Sequence, residues 1–190
     1  NVMGAEIKGA GTDMIRIEGV EALTGSEYTI IPDRIEAGTY IIMGAVTGSE
    51  LYVDNVLVEH IKPLVAKLKE MGVKIEEDVA GDVKTLPYPG FPTDLQAPFM
   101  VLLTQAAGES KVIETVFENR FAHIKQLEKM GAKIEEKKKG QVAVVEKSTL
   151  QGTEVEATDL RAGAALILAG LVAEGKTTIK EGYHIERGYE

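Results

Sequence analysis

The chain has 190 residues, 44% of them hydrophobic, which is enough to bury a core in one domain or two small ones. A formal net charge of −9 argues against nucleic acid as the main partner, because binding a phosphate backbone needs a basic surface. The absence of cysteine excludes disulfides, thiolate metal sites and a cysteine nucleophile within these residues.

The N-terminus "NVMGAEIKGAG" lacks the charged-then-apolar pattern of a signal peptide. Three copies of one pattern follow, starting at 32 ("PDRIEAGTYIIMGAVTGSELYVDNV"), 92 ("PTDLQAPFMVLLTQAAGESKVIETV") and 157 ("ATDLRAGAALILAGLVAEGKTTIKEG"). In the first copy "DRIE" at 33–36 predicts an Asp-capped helix, and "ELYVDNV" at 50–56 alternates like a strand. A second helix then carries Leu64, Val65, Leu68 and Met71 on one face and stops at Gly72, before a short return, "EEDVAGDVKTLPYPG".

The second copy opens on "TDLQ" at 93–96, the form of a capping box with Thr93 as N-cap and Gln96 reaching back. Its helix, about 94–107, is apolar around a wide arc and is expected in the interior. A strand ("SKVIETV"), a helix through Ile124, Leu127 and Met130 ending at Gly131, and a β return ("KIEEKKKGQVAVVE") complete the unit. Within that return Lys137, Lys138 and Lys139 read as a solvated turn. The third copy supplies an interior helix over 159–174 and a strand, "KTTIKEG", and stops at "HIERGYE". The apolar run at 162–173 is too short to span a bilayer, and His60, His123 and His184 have no metal-ligand spacing. A soluble, cytoplasmic α/β (α+β) protein is expected, without metal or cofactor. Its units are helix, strand, helix and hairpin at 32–91, 92–156 and a truncated 157–190.

The few arginines are not scattered. Counted from the helix starts, Arg34, Asp94 and Asp159 are equivalent, as are Glu36, Gln96 and Arg161, and then His60, Arg120 and Arg187. The pattern places these positions at helix N-termini, where unpaired N–H groups favour anions, so arginine there makes most sense beside a phosphate or carboxylate. A plainer reading has the aspartates stabilising helix starts and the arginines pairing with them, each pair contributing about 0.5 kcal/mol at a surface.

"IPDRIEAGT", "TLPYPGFPTDLQA", "ETVFENRF", "ATDLRA" and "YHIERGYE", in this order, resemble the C-terminal half of the UDP-N-acetylglucosamine 1-carboxyvinyltransferases, the enolpyruvyl transferases of peptidoglycan synthesis. The resemblance covers essentially the whole chain. It implies an inside-out α/β barrel of three units, and transfer of the enolpyruvyl group of phosphoenolpyruvate to the 3′-hydroxyl of UDP-N-acetylglucosamine. Asp94 is then the general base, and Val116 offers its backbone to the sugar nucleotide. Arg120, Arg161 and Arg187 face the phosphate and carboxylate of phosphoenolpyruvate, and Asp159 assists proton transfer or orients its neighbours. The family carries another domain with further site residues before this one, and the resemblance makes residues 1–31 the hairpin that leads from it. The chain is therefore expected to be a partial piece, inactive alone and prone to self-association, with small-molecule substrates and no nucleic-acid or membrane partner. The rivals are the related shikimate-pathway enzyme, against which "PYPGFPTDLQA" and "ENRF" speak; a non-catalytic binding or structural domain; and an RNA-end-processing enzyme of similar repeats, opposed by the acidic charge.

Overall fold

A computed structural model describes residues 1–10, 12, 14–73, 83–84, 90–138 and 140–189, which form two compact units, Asn1–Pro32 and Asp33–Glu190. In the first, β1 (Glu6–Lys8) and β2 (Arg16–Glu18) pair antiparallel, with Ile7 opposite Ile17. Gly9 closes the connection at φ +77°, where a Cβ would lie 2.1 Å from the Met14 carbonyl oxygen. The Thr12 hydroxyl donates to the carbonyls of Gly9 and Met14 at 2.7 and 2.9 Å, occupying backbone acceptors of the same turn.

The second unit is built on three mutually packed helices, α1 (Arg34–Thr47), α3 (Gln96–Gln105) and α5 (Leu160–Val172). Every residue of α3 from Gln96 to Thr104 is buried, the condition that an all-round apolar helix requires. Phe99, Met100 and Leu103 of α3 and Leu166 of α5 are fully enclosed, and side chains of this size each contribute roughly 1.5–3 kcal/mol through burial. Close approach depends on glycine: a Cβ at Gly38 of α1 would lie 2.5 Å from Leu95, and one at Gly163 of α5 would lie 2.5 Å from Ile185. Both expected Asp caps form. Asp33 accepts from the Ile35 N–H at 2.7 Å, and Asp159 accepts from the N–H groups of Arg161 and Ala162 at 2.8 and 2.9 Å.

Around this helical layer, α2 (Val58–Glu70) buries Ile61, Leu64 and Leu68, and α4 (Ile124–Lys129) buries Ile124 and Leu127. A four-stranded sheet has the order β3 (Val83–Lys84), β4 (Glu109–Ile113), β6 (Val142–Glu146), β5 (Lys133–Lys137). β3 runs parallel to β4 and the other pairs are antiparallel. β7 (Glu154–Glu156) and β8 (Thr178–Lys180) pair in parallel on either side of α5 in the chain, and a 3-10 turn, Gly182–Arg187, follows.

Two expectations are corrected. Residues 50–56 form no strand: Asn55 sits at φ +53°, breaking the extension, while Tyr52 is exposed and Leu51 folds back against Gly44 of α1. "TDLQ" is not a capping box. Thr93 spends its hydroxyl on Glu114, a 3-10 turn (Thr93–Leu95) precedes α3, and the Gln96 side chain is buried with neither amide atom bonded. Most of the expected short return at 76–90, and Lys139, lie outside the described residues.

Candidate functional site

The 3-10 turn before α3 anchors through Leu95, which is fully buried against Gly38, and this leaves the neighbouring Asp94 partly exposed. Beyond β4 the chain turns through 115–123, with Asn119 at φ +56° and with Phe121 and His123 buried as its anchors. That turn delivers Arg120, whose Nη2 donates to Asp94 Oδ1 at 2.5 Å and whose guanidinium lies 5.3 Å from the Phe117 ring centroid. From the first turn of α5, Arg161 brings Nε to 3.4 Å from the same Oδ1. One carboxylate oxygen thus gathers both guanidiniums, while Oδ2 has no hydrogen-bond or ion-pair partner among the described residues.

This outcome realises the plainer pairing, since Arg120 has Asp94 as its partner in the folded chain. The pairs are about one-third exposed or less, and pairs of this kind contribute on the order of 1 kcal/mol or below. Two guanidiniums around one carboxylate leave a local excess of one positive charge, which suits an added anion. Asp159 keeps its negative charge while its Oδ1 caps α5, and two residues from Arg161 that charge offsets part of the excess.

Further contacts bring in residues that the sequence pattern did not single out. Arg161 Nη1 donates to the Tyr189 hydroxyl at 3.3 Å, and that hydroxyl lies 2.9 Å from Thr39 Oγ1. Thr39 itself donates to the Ile35 carbonyl, so the Tyr189 hydroxyl donates to Thr39 and accepts from Arg161. Glu114 is buried at the end of β4: Oε1 accepts from the N–H groups of Val116 and Phe117 at 2.7 and 3.1 Å, and Oε2 accepts from the Thr93 hydroxyl at 2.7 Å. Val116 therefore cannot present its N–H to a ligand, whereas its carbonyl accepts no hydrogen bond among the described residues. A cavity of about 370 Å³ adjoins it, lined by Glu114, Val116, Phe117, Asn119 and Gln141 among others.

Arg187 is not brought to this cluster. It ends the last 3-10 turn, exposed, with its guanidinium 6.0 Å from the Tyr183 ring centroid, and it makes no ion pair among the described residues. The expectation that all the equivalent positions mark helix N-termini fails here and at Arg120, which lies in a turn four residues before α4.

His123 is fully enclosed with its Nε2 unbonded, and its pKa is lowered to about 4, chiefly by burial, with the Asp159 carboxylate opposing and the Arg120 guanidinium reinforcing the shift. Because the folded value lies below the ordinary 6.5, the unfolded chain takes up the proton first as pH falls. Stability from the neutral imidazole is complete above pH 6.5 and is lost progressively down to about pH 4. By pH 5 the loss attributable to His123 is expected to reach roughly 2 kcal/mol. Denaturant unfolding at pH 7 and pH 5 checks this: the parent protein loses more than His123→Gln, and equal losses would remove the assignment.

Among the described residues no helix is long and apolar enough to cross a membrane, and no group of three or more His, Cys, Asp or Glu could hold a metal ion. The family described as EPSP synthase (3-phosphoshikimate 1-carboxyvinyltransferase) matches residues 1–190. A UDP-N-acetylglucosamine 1-carboxyvinyltransferase of Halothermothrix orenii is 61% identical, over 100% of this chain and 48% of its own length. A UDP-N-acetylglucosamine 1-carboxyvinyltransferase 1 of Caldanaerobacter subterraneus is 55% identical over the same shares. The crystal structure of the enolpyruvyl transferase NikO from Streptomyces tendae superposes with a TM-score of 0.81 at 28% identity, covering 99% of this chain and 48% of that one. The chain spans about half the length of the curated relatives it matches, and it belongs to the EPSP synthase family of enolpyruvyl transferases.

Proposed function

We propose that this chain is one half of a cytoplasmic UDP-N-acetylglucosamine 1-carboxyvinyltransferase serving peptidoglycan synthesis, with its three units arranged as an inside-out barrel. Asp94 Oδ2 takes the proton of the sugar 3′-hydroxyl while a proton adds to C3 of phosphoenolpyruvate and the freed oxygen bonds to C2; the tetrahedral adduct then loses phosphate by cleavage of the C2–O bond together with a C3 proton, which restores the double bond. Arg120 and Arg161 hold the phosphate and carboxylate and stabilise charge as it develops. Val116 accepts a hydrogen bond from the acceptor sugar through its carbonyl. Arg187 reaches the phosphoenolpyruvate anion only once the substrates and the remaining domain close on it, and Asp159 orients Arg161 through the cap of α5.

The observation that carries this reading is the sharing of Asp94 Oδ1 by two guanidiniums, which leaves a carboxylate oxygen open beside a net positive charge. The names of the most similar relatives favour UDP-N-acetylglucosamine as acceptor. In the test, the chain is completed with the remainder of the Halothermothrix orenii relative. Phosphate release from phosphoenolpyruvate is expected to require UDP-N-acetylglucosamine, and the unaided chain to bind the sugar nucleotide without turnover. Release that requires shikimate 3-phosphate instead would overturn the substrate assignment.

A further inference from the structure

A buried charged side chain normally costs stability unless it is fully bonded, and Glu114, the residue after β4, is almost completely buried. Its two oxygens serve different segments. Oε1 holds the backbone of the turn that begins at Val116, and Oε2 holds Thr93, the residue before Asp94. The same two segments are linked a second time where Arg120 donates to Asp94. The result is a closed ring: Thr93 to Asp94 through the chain, Asp94 to Arg120 through an ion pair, back along the chain to Phe117 and Val116, and through Glu114 to Thr93.

We propose that Glu114 is a positioning residue for the acceptor sugar, fixing the separation between the Asp94 turn and the Val116 carbonyl from beneath. The proposal rests on the assignment of Asp94 as base and of the Val116 carbonyl as a sugar contact. A ring tied only by the Arg120–Asp94 pair loosens when a substrate anion competes for that guanidinium. The Glu114 tie is buried and involves neither guanidinium, so it holds the geometry while the anion is bound.

The experiment uses the completed enzyme with Glu114→Ala, Glu114→Gln and Thr93→Val, measuring kcat, the KM of each substrate and the melting temperature. Glu114→Ala is expected to raise KM for UDP-N-acetylglucosamine and to lower kcat, each by about tenfold or more, with KM for phosphoenolpyruvate changed by less than about threefold. Glu114→Gln keeps an oxygen for both amides, and its NH2 can donate to a Thr93 hydroxyl turned to accept, so it is expected to restore both parameters to within about threefold. Thr93→Val, which keeps the Val116 turn, is expected to lower kcat while leaving KM for the sugar nucleotide unchanged. If Glu114→Ala does not fold, the Thr93→Val result decides, and an unchanged kcat there would overturn the proposal. So would parental kinetics in Glu114→Ala, or Glu114→Gln as impaired as the alanine variant. A completed parent enzyme that ignores UDP-N-acetylglucosamine would instead overturn the substrate assignment, and this proposal with it.

Discussion

Asp94→Asn is expected to reduce kcat of the completed enzyme by about 10²–10⁴-fold, the range over which a positioned general base contributes. Asparagine keeps the shape and an oxygen at the Oδ1 position, so Arg120 and Arg161 retain a hydrogen-bond acceptor and the fold retains the 3-10 turn. Only the charge and the proton-accepting ability are lost. The same change leaves two guanidiniums without a neutralising carboxylate, so KM for phosphoenolpyruvate is expected to fall as kcat falls. Steady-state kinetics separates the two parameters, and near-parental kcat would remove Asp94 from the base role.

Arg120→Ala is expected to move phosphoenolpyruvate affinity the other way. Loss of a group that meets developing charge costs roughly 3 kcal/mol of transition-state stabilisation, on the order of a hundredfold in kcat/KM for phosphoenolpyruvate. Folding stability is expected to change by less than about 1 kcal/mol, because the pair with Asp94 is partly exposed and stacking on Phe117 is a modest term. If stability falls sharply while kinetics per folded molecule hold, Arg120 is a structural residue. Arg120→Lys refines the test: it keeps the charge, loses the planar fork, and should remain impaired wherever two oxygens are gripped together.

The sequence made the helical layer legible because its signals are local. Asp33 and Asp159 cap where polar residues precede apolar runs, and α3 and α5 are interior because their faces are apolar all round. The strand expected at 50–56 failed because alternation says nothing about a pairing partner, and Asn55 in the left-handed region ends the extension. "TDLQ" misled because a hydroxyl with two possible partners chose the distant Glu114 over the adjacent backbone. The convergence of Asp94, Arg120 and Arg161 was readable from repeat positions, but their pairing with one another was resolved only in three dimensions. Glu114 did leave a signal that went unused. The buried alternation of β4 runs through Ser110 and Val112 and continues inward to Glu114, so a carboxylate stood on the core side of the strand. Tyr189 left none, since a single aromatic near the end of the stretch has no periodicity to place it.

The enclosure of α3 also bears on how the chain is made. Its partner α5 ends 67 residues after α3, and until α5 has emerged, the side of α3 that it will cover stays open to water. At synthesis rates of about 5–20 residues per second, that interval lasts roughly 3–13 s. The β5–β6 hairpin and its pairing with β4 can form in that time, but the helical layer cannot close. A nascent chain stalled between Lys137 and Leu160 therefore presents an apolar helix with its cover still in the ribosome, which is where a chaperone that recognises exposed aliphatic and aromatic side chains would engage it.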